Sequence, residues 1–306
     1  YYKPTARCDL RCKICSRWKD DSPSEEELSL DQIESFLSTF RKNGAQILVL
    51  WGGEPTLRKD LPEILALAKR LGYRISMCTN MNSLAKKAER LLYNLDTLLC
   101  SLDGYGAQHD EARGLEGLFD RAVRGIERAT EYDHLRIKIW TALSRSNTDS
   151  IESLARLARD LGIWIEFFPV SLIEGYNEDL VLEGEQLRDV FDRIERLKRE
   201  GYPIWNMTHV LRKMGDGRDI RCNFGSVGMH VDHRGEVSCC EDPEGNPLHS
   251  WGNLSNIDLD ALIRSPERRR AGQELRACQK CRFPCATELG DSLLVAYAGM
   301  FWQSVT

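Results

Sequence analysis

The chain has 306 residues, 42% of them hydrophobic and 29% charged, and its net charge at pH 7 is −5. It is longer than a typical domain of about 100–200 residues, so we expect one large domain and one smaller domain. Acidic and basic residues are interspersed, which argues against a nucleic-acid partner. No apolar run of about 18 residues and no signal-peptide pattern is visible, which predicts a cytoplasmic protein.

Strand and helix patterns alternate along most of the chain. A strand is expected to lead into Cys8, and a helix is predicted in residues 29–44, where Ser29 and Gln32 have capping-box spacing. Further apolar strand runs are predicted in residues 45–51, 73–80, 95–103, 135–144 and 163–170. Helical patterns lie between these runs, in residues 61–72, 83–94, 117–131 and 148–162.

This alternation predicts an α/β fold with a parallel sheet and helical crossovers. About six strand–helix units favour a partial (β/α)6 barrel of the TIM type over an open sheet. No dinucleotide fingerprint or P-loop follows any strand. From Gly184 a long charged helix leads into a loop-rich region. We therefore predict a barrel domain in residues 1–185 and a smaller domain in residues 186–306.

Nine of the eleven cysteines fall into two sets. The first set is Cys8, Cys12 and Cys15, and the second is Cys222, Cys239, Cys240, Cys278, Cys281 and Cys285. In a cytosolic chain such tight spacing favours metal or redox sites over disulfides. Cys78 and Cys100 stand alone in apolar runs, where we expect them to be small buried hydrophobic residues.

The first set has three thiols and no neighbouring fourth ligand. A structural zinc site needs four ligands, so here one would have to come from a distant part of the chain. An iron–sulfur cluster with four irons can instead take three thiolates and keep one iron open. Spacing alone favours the cluster and leaves both possibilities open.

The pattern Cys8-x3-Cys12-x2-Cys15 after a first strand resembles the signature of the radical S-adenosylmethionine (SAM) superfamily. The resemblance implies that the three cysteines hold a [4Fe-4S] cluster whose open iron binds SAM. It also implies that reductive cleavage of SAM releases a 5′-deoxyadenosyl radical. The chain departs from the signature at Ile14, where an aromatic residue is usual. The family uses that position mainly through its backbone and packing, so Ile14 is kept as a cofactor-binding candidate.

A second motif resembles the same family. Gly52, Gly53 and Glu54 follow the second strand run, as in the family's Gly-Gly-Glu-Pro turn, which receives the amino group of SAM. Glycines allow close backbone approach, and a carboxylate can accept hydrogen bonds from an ammonium group. The resemblance continues at the ends of the next two strands, with Thr79 and Asn80 and then with Ser101, Asp103 and Arg113.

These later candidates could also have purely structural roles. Ser101 is the expected contact to the ribose or carboxylate of SAM, but Ser101 and Asp103 could equally cap a turn at the end of a strand. Arg113 and Asn147 match family positions near the cofactor, yet a solvated loop with no role in cofactor binding could contain the same residues.

The second cysteine set resembles the auxiliary-cluster region of the SPASM and twitch branch of the superfamily. The resemblance implies that Cys222, Cys240, Cys278 and Cys281 bind a second, auxiliary [4Fe-4S] cluster. Cys239 and Cys285 are left over, and either could replace a neighbour as a ligand. A structural zinc bound by four cysteines is the alternative for this set.

The resulting prediction is an enzyme that cleaves SAM and abstracts a hydrogen atom from a small-molecule or peptide substrate. An electron donor such as flavodoxin or ferredoxin is the expected partner, and the reaction type is left open. The apolar tail Leu293–Trp302 raises a lipid substrate or membrane contact as an alternative, although a packed helix is favoured. A non-catalytic iron–sulfur electron carrier or a zinc-stabilised binding protein would have similar cysteine sets without catalysing a reaction.

Overall fold

The computed structural model describes residues 1–217 and 222–283. Its larger part is a parallel sheet whose five strands pair in chain order, which confirms the predicted α/β alternation. These strands are β1 (Ile47–Leu50), β2 (Arg74–Thr79), β3 (Thr97–Ser101), β4 (Arg136–Leu143) and β5 (Trp164–Pro169). Because all five run in the same direction, their carboxyl ends meet at one edge, where the predicted site residues follow them.

Helices connect the strands and cover the sheet. They are α1 (Leu30–Lys42), α2 (Leu61–Arg70), α3 (Leu84–Leu91), α4 (Ala107–Arg113), α5 (Leu118–Ala129), α6 (Ile151–Asp160), α7 (Gly184–Arg199) and α8 (Thr208–Gly215). The predicted capping box of α1 is confirmed, since the Ser29 side chain accepts from the Gln32 backbone and the Gln32 side chain accepts from the Ser29 backbone. The short helix α4 was not predicted.

The strand expected before Cys8 is reduced to one paired residue. Tyr2 forms parallel bridges to Leu50 of β1 and to Val231. Beyond it the backbone turns away from the ladder, and the carbonyls of Thr5 and Arg7 accept instead from Gly53 N (3.3 Å) and Glu54 N (2.8 Å). At the β1 edge the sheet therefore has the Tyr2 bridge in place of the expected first strand, and at the β5 edge Ile165 forms another isolated parallel bridge, to Ile204.

A smaller antiparallel sheet follows α8. It consists of β6 (His230–Val231), β7 (Glu236–Glu241) and β8 (Pro247–Asn253). The helices α9 (Phe224–Val227) and α11 (Pro266–Glu274) pack against β7, while α10 (Leu259–Arg264) packs against α11 and α1. Residues 1–3 join the two sheets, because Tyr2 N donates to Val49 O and Lys3 N donates to Val231 O, both at 2.9 Å. The division of the chain into domains at residue 185 stays a prediction.

Leucine, isoleucine and phenylalanine side chains form a continuous core between the parallel sheet and its helices. Tyr2, with no exposed surface, belongs to this core and packs against Phe36 of α1 with ring centroids 5.1 Å apart. Within residues 1–217 and 222–283, no helix combines the length and the apolar character that crossing a bilayer requires. Cys285 and the tail Leu293–Trp302 lie outside the described residues.

Candidate active site

The loop that carries the first cysteine set is held from two sides. Lys13 N donates to Ala112 O of α4 at 2.9 Å. Tyr176, from the loop after β5, donates its hydroxyl to Cys12 O at 2.7 Å. Cys8, Cys12 and Cys15 all line one cavity at the carboxyl edge of the sheet, and Ile14 lines it as well. The predicted cluster ligands are therefore brought together on one wall.

Burial affects the protonation of the cysteine thiols in this loop. It raises the pKa of the Cys8 thiol to about 12 and that of the Cys12 thiol to about 11. Near neutral pH both thiols are protonated in the metal-free chain, so binding iron as thiolates must release their protons. Three cysteine thiols that line one cavity are a donor set that suits an iron–sulfur cluster with one open iron.

The Gly-Gly-Glu turn is packed directly against the segment that leads into Cys8. A Cβ atom added to Gly53 would lie 2.2 Å from Arg7 O and 2.4 Å from Ala6 O. Gly52 has φ of +123°, a conformation that favours glycine. Glycine is thus required at position 53 because the chain itself passes there. The sequence interpretation attributed both glycines to the approach of a ligand.

Glu54 is 1% exposed and lines the cavity. Its Oε1 accepts hydrogen bonds from Thr56 N (3.0 Å), Thr56 Oγ1 (2.6 Å) and Thr79 Oγ1 (2.8 Å). Its Oε2 accepts from Asn80 N at 2.7 Å. Burial raises the pKa of Glu54 in spite of these bonds. Because Oε2 accepts only one of the four bonds, it keeps acceptor capacity for an ammonium group.

Thr79 and Asn80 connect the turn, β2 and the cysteine loop. Thr79 orients Glu54, as described above, while Asn80 Nδ2 donates to the Asp9 carboxylate at 2.7 Å. Asn82 Nδ2 donates to the other oxygen of Asp9 at 2.8 Å. Thr79 and Asn80 both line the cavity, as does Cys78, which is partly exposed and has a pKa that burial raises to about 11.

Ser101 and Arg113 line the cavity, whereas Asp103 lies beneath them. Asp103 Oδ2 accepts from Arg113 Nε at 2.6 Å, and Asp103 Oδ1 accepts from Ala142 N at 2.9 Å. Burial alone would lower the pKa of Arg113, but the Asp103 carboxylate raises it above its ordinary value. At its other end Arg113 Nη1 lies 3.8 Å from Cys12 Sγ. Asp103 thus positions Arg113 against a predicted cluster ligand.

Asn147 is buried and lies outside the set of residues that line the cavity. Its Nδ2 donates to Asp103 O at 2.5 Å and to Ala142 O at 2.8 Å, and its Oδ1 accepts from Ser144 N at 2.8 Å. These bonds fix the loop after β4 beneath Asp103.

Aromatic side chains that are not among the predicted site residues form much of the cavity. Trp140 of β4 and Phe168 of β5 meet edge to face with ring centroids 5.7 Å apart. Phe283 contacts Phe168 at 6.0 Å and Trp51 at 6.3 Å. The cavity has a volume of about 190 Å³ and a largely apolar surface. Alternation along β4 could have revealed Trp140, because it shares a face with Ala142, which also lines the cavity.

The second cysteine set lies beside this cavity. Cys222, Cys240 and Cys281 pack in one cluster with Phe224. Cys278 packs in the adjoining cluster with Cys240 and Cys239, and it also interacts electrostatically with Cys222 and Cys281. The four predicted auxiliary ligands are therefore neighbours.

Cys239 has no exposed surface, and it packs against Ala271 and Leu275. Side chains alternate along β7, so Cys239 and Cys240 leave the strand on opposite faces. Burial raises the pKa of the Cys281 thiol to about 11 and raises that of Cys240 further above its ordinary value. Across residues 1–217 and 222–283, no three His, Cys, Asp or Glu side chains converge to bind a single metal ion.

Residues 2–158 match the family described as the Radical SAM superfamily. The chain belongs to this superfamily. Membership confirms the resemblance that the cysteine loop and the Gly-Gly-Glu turn suggested, and it makes the protein an enzyme that uses SAM and a SAM-binding [4Fe-4S] cluster. The interpretation of the whole chain as a non-catalytic electron carrier or binding protein is thereby set aside. The match ends at residue 158, so it does not decide between a cluster and a structural zinc at the second cysteine set.

Curated relatives of this radical SAM protein include two from Methanosarcina barkeri. An AdoMet-dependent heme synthase is 34% identical over 94% of this chain and 92% of its own length. An Fe-coproporphyrin III synthase is 31% identical over 67% of this chain, which spans only 53% of that relative. A probable GTP 3′,8-cyclase of Saccharolobus solfataricus is 31% identical over 63% of each chain.

Solved structures confirm the partial-barrel fold. Native anSMEcpe with bound AdoMet superposes with a TM-score of 0.69 over 99% of this chain and 96% of its own, at 18% identity. Streptococcus suis SuiB bound to S-adenosylmethionine gives a TM-score of 0.67 over 87% of this chain and 65% of its own, also at 18% identity. At such low identity these likenesses concern the fold alone.

Proposed function

We propose that this protein cleaves SAM and abstracts a hydrogen atom from a planar, largely apolar small molecule, with an iron tetrapyrrole as the first candidate. Cys8, Cys12 and Cys15 would hold the SAM-binding cluster. When bound, this cluster supplies the electron that converts SAM into methionine and the 5′-deoxyadenosyl radical. The observation that carries the proposal is that the three cysteines, Glu54 and several aromatic side chains all line one cavity.

The polar end of the cavity suits the amino-acid part of SAM. Glu54 is fixed by four hydrogen bonds and offers Oε2 to an ammonium group. Arg113 is held by Asp103 and lies beside Cys12, and it provides a positive charge with which a carboxylate could pair. Ser101, at the end of β3, adds a hydroxyl to the lining of the same cavity. The role of each residue as a SAM contact is part of the proposal.

The apolar part of the cavity suits a flat conjugated substrate. Trp140, Phe168, Phe283 and Trp51 follow one another in ring contacts of 5.7–6.3 Å between centroids, two of them edge to face and the one between Phe168 and Phe283 tilted. Such a wall buries a large apolar surface at little cost in side-chain entropy. Burial of both partners would also exclude water from a reactive carbon radical.

Two relatives suggest iron tetrapyrroles as the flat substrate. The heme synthase and the Fe-coproporphyrin III synthase are named for such compounds, and the former covers 94% of this chain at 34% identity. Relatives named as GTP cyclases raise a nucleotide as the competing class. A triphosphate would need free cationic groups. Arg113 is already assigned to the SAM carboxylate, and Arg17, the other arginine that lines the cavity, is paired with Glu241. This pairing favours the apolar substrate.

A second [4Fe-4S] cluster bound by Cys222, Cys240, Cys278 and Cys281 belongs to the proposal. Its support is the mutual proximity of four thiols, one buried and three partly buried, close to Phe283 at the edge of the substrate cavity. Cys239 packs on the other face of β7 and is not among the proposed ligands. An electron donor such as flavodoxin or ferredoxin is proposed as partner.

The function is tested by anaerobic reconstitution with iron and sulfide, followed by dithionite, SAM and Fe-coproporphyrin III. We expect 5′-deoxyadenosine to form faster when the tetrapyrrole is present and the tetrapyrrole to be altered. GTP and unrelated peptides serve as competing substrates. Acceleration by GTP and none by the tetrapyrrole would reject the substrate class. No 5′-deoxyadenosine under any condition, with the clusters intact, would reject the proposed function as a whole.

The aromatic wall has its own test. Trp140→Ala should lower the tetrapyrrole-dependent rate at least about tenfold, the change that corresponds to about 1.4 kcal/mol, while SAM cleavage without substrate continues. Trp164→Ala is the matched control, because Trp164 is 42% exposed and lies at the start of β5, away from the cavity. Equal rates in the two variants would contradict a role of this wall in substrate binding.

An iron count separates the two cluster assignments. Two [4Fe-4S] clusters give about eight irons per chain and one gives about four. Cys12→Ala should remove only the first cluster and abolish SAM cleavage. Cys240→Ala should remove only the second. Cys100→Ala, a buried cysteine of β3, serves as the control and should keep all the iron. Retained SAM cleavage in Cys12→Ala would disprove the catalytic assignment.

A further inference from the structure

A buried ion pair links the two cysteine sets. Arg17 follows Cys15 by two residues, and Glu241 follows Cys240 directly. The Arg17 guanidinium donates through Nη1 to the Glu241 carboxylate and through Nη2 to Asp242 O at 2.8 Å. Their side chains are 7% and 4% exposed. Each member is thus tied along the chain to a different cysteine set.

The surroundings hold Arg17 in one position. Its guanidinium carbon lies 4.6 Å from the ring centroid of Trp51, over the ring. The turn between β7 and β8 encloses it from the other side, since a Cβ added to Gly245 would lie 3.3 Å from Arg17 Nη1. The Asp242 carboxylate shapes this turn by accepting from the backbone N–H groups of residues 244–246 at 2.9–3.1 Å.

The remaining charged groups near the pair are few. His230 Nδ1 lies 3.1 Å from the second oxygen of Glu241, and burial lowers the pKa of His230, so this ring is neutral. Lys280, beside Cys281, lies 3.7 Å from the Asp242 carboxylate. Arg17 also interacts electrostatically with Cys281. Arg17 and Glu241 therefore place a buried positive and a buried negative charge next to the second cysteine set, together with the buried Asp242 carboxylate that Lys280 approaches.

We propose that Arg17 and Glu241 are positioning residues that set the reduction potential of the auxiliary cluster and hold it against the catalytic cysteine loop. This inference rests on the proposed auxiliary cluster. In a buried, weakly screened environment, a nearby positive charge stabilises the reduced, more negative cluster and a negative charge stabilises the oxidised one. The charges of the pair must therefore act on the potential with opposite signs.

The test is an EPR-monitored redox titration of the reconstituted holoenzyme. Arg17→Gln removes the positive charge and should lower the midpoint potential of the auxiliary cluster, whereas Glu241→Gln removes the negative charge and should raise it. The double variant should return close to the wild-type value. Arg193→Gln is the matched control, because Arg193 of α7 pairs with Glu152 of α6 and both lie apart from the two cysteine sets. It should leave the potential unchanged.

Shifts in the same direction for the two single variants, or shifts no larger than that of the control, would overturn the proposal, because a purely structural role has no reason to reverse sign. If Arg17→Gln fails to assemble the auxiliary cluster, Arg17→Lys and Glu241→Gln decide. The midpoint potential of the auxiliary cluster must stay near the wild-type value in Arg17→Lys and rise in Glu241→Gln. A wild-type protein with about four irons would instead refute the auxiliary cluster itself, independently of these variants.

Discussion

Arg113 and Asp103 form a buried ion pair in which Arg113 Nε lies 2.6 Å from Asp103 Oδ2. Asp103 is 1% exposed, and its other oxygen accepts from the backbone of Ala142 on β4. The pair therefore anchors the end of α4 to β4 while Arg113 reaches toward Cys12. Asp103 does not line the cavity, but through this pair it positions the Arg113 guanidinium, which does.

Asp103→Asn should be strongly destabilising. The amide can replace only one acceptor and leaves the buried guanidinium without a countercharge, for which we expect a loss of roughly 3–5 kcal/mol in the free energy of unfolding. The matched control is Asp160→Asn, whose exposed pair with Arg159 should contribute less than about 1 kcal/mol. Chemical denaturation measures both, and similar losses in the two variants would contradict the role of Asp103.

Gly53→Ala should disrupt the cysteine loop. The added methyl would meet the backbone oxygens of Ala6 and Arg7, which have to move and carry Cys8 with them. We expect a loss of about 1–3 kcal/mol from overpacking and a lower iron content at the first cysteine set. Gly125→Ala is the control, since the one close contact of its methyl is the flexible end of Met81 at 3.0 Å and the next atoms lie at an ordinary 3.8 Å. Full iron content in Gly53→Ala would disprove the steric argument.

His109 predicts part of the pH dependence of stability. Burial and then the charge of Arg113 lower its pKa from 6.5 to about 3. Because the folded pKa is below the unfolded one, this contribution is complete above about pH 6.5 and is lost as the pH falls toward 3, by up to about 1.4 kcal/mol per pH unit. His109 Nδ1 accepts from Asp103 N at 3.0 Å, and an asparagine oxygen can replace it.

His109→Asn should therefore flatten the decline in unfolding free energy between pH 6.5 and 5 relative to wild type. The comparison must be made between variants because the pKa values of buried His230 and His233 are also lowered. His134→Asn is the control at an exposed position. Identical pH profiles for wild type and His109→Asn would contradict the buried neutral state of this ring.

Tyr2→Ala should weaken the junction between the two sheets. Tyr2 has no exposed surface, packs against Phe36 and lies 3.2 Å through its hydroxyl from Arg58 Nη1. Removing the ring should cost about 3–5 kcal/mol. Tyr93→Ala, at a position 76% exposed, should cost less than about 0.5 kcal/mol. Equal unfolding midpoints for the two variants would show that the junction contributes nothing to stability.

Sequence periodicity predicted the five strands and most helices because their apolar residues recur with clear periods. It missed α4, whose seven residues bury only His109 and Ala112 and lie between two glycines. For that reason the sequence could not distinguish Arg113 from a solvated loop residue. The expected first strand was reduced to Tyr2 because the carbonyls of Thr5 and Arg7 are taken by the Gly-Gly-Glu turn.

By itself the sequence determined the superfamily, the parallel α/β fold and the two cysteine sets, because short motifs and hydrophobic periods are local properties of the chain. Only the tertiary structure decided that Gly53 is required by the chain's own backbone, that Asp103 supports Arg113 from below, and that Trp140 and Phe168 form the aromatic wall. It also brought Arg17 to Glu241 across 224 residues. Such pairings depend on which buried charges and surfaces meet once the sheets pack together. No local sequence pattern encodes contacts between residues so far apart in the chain.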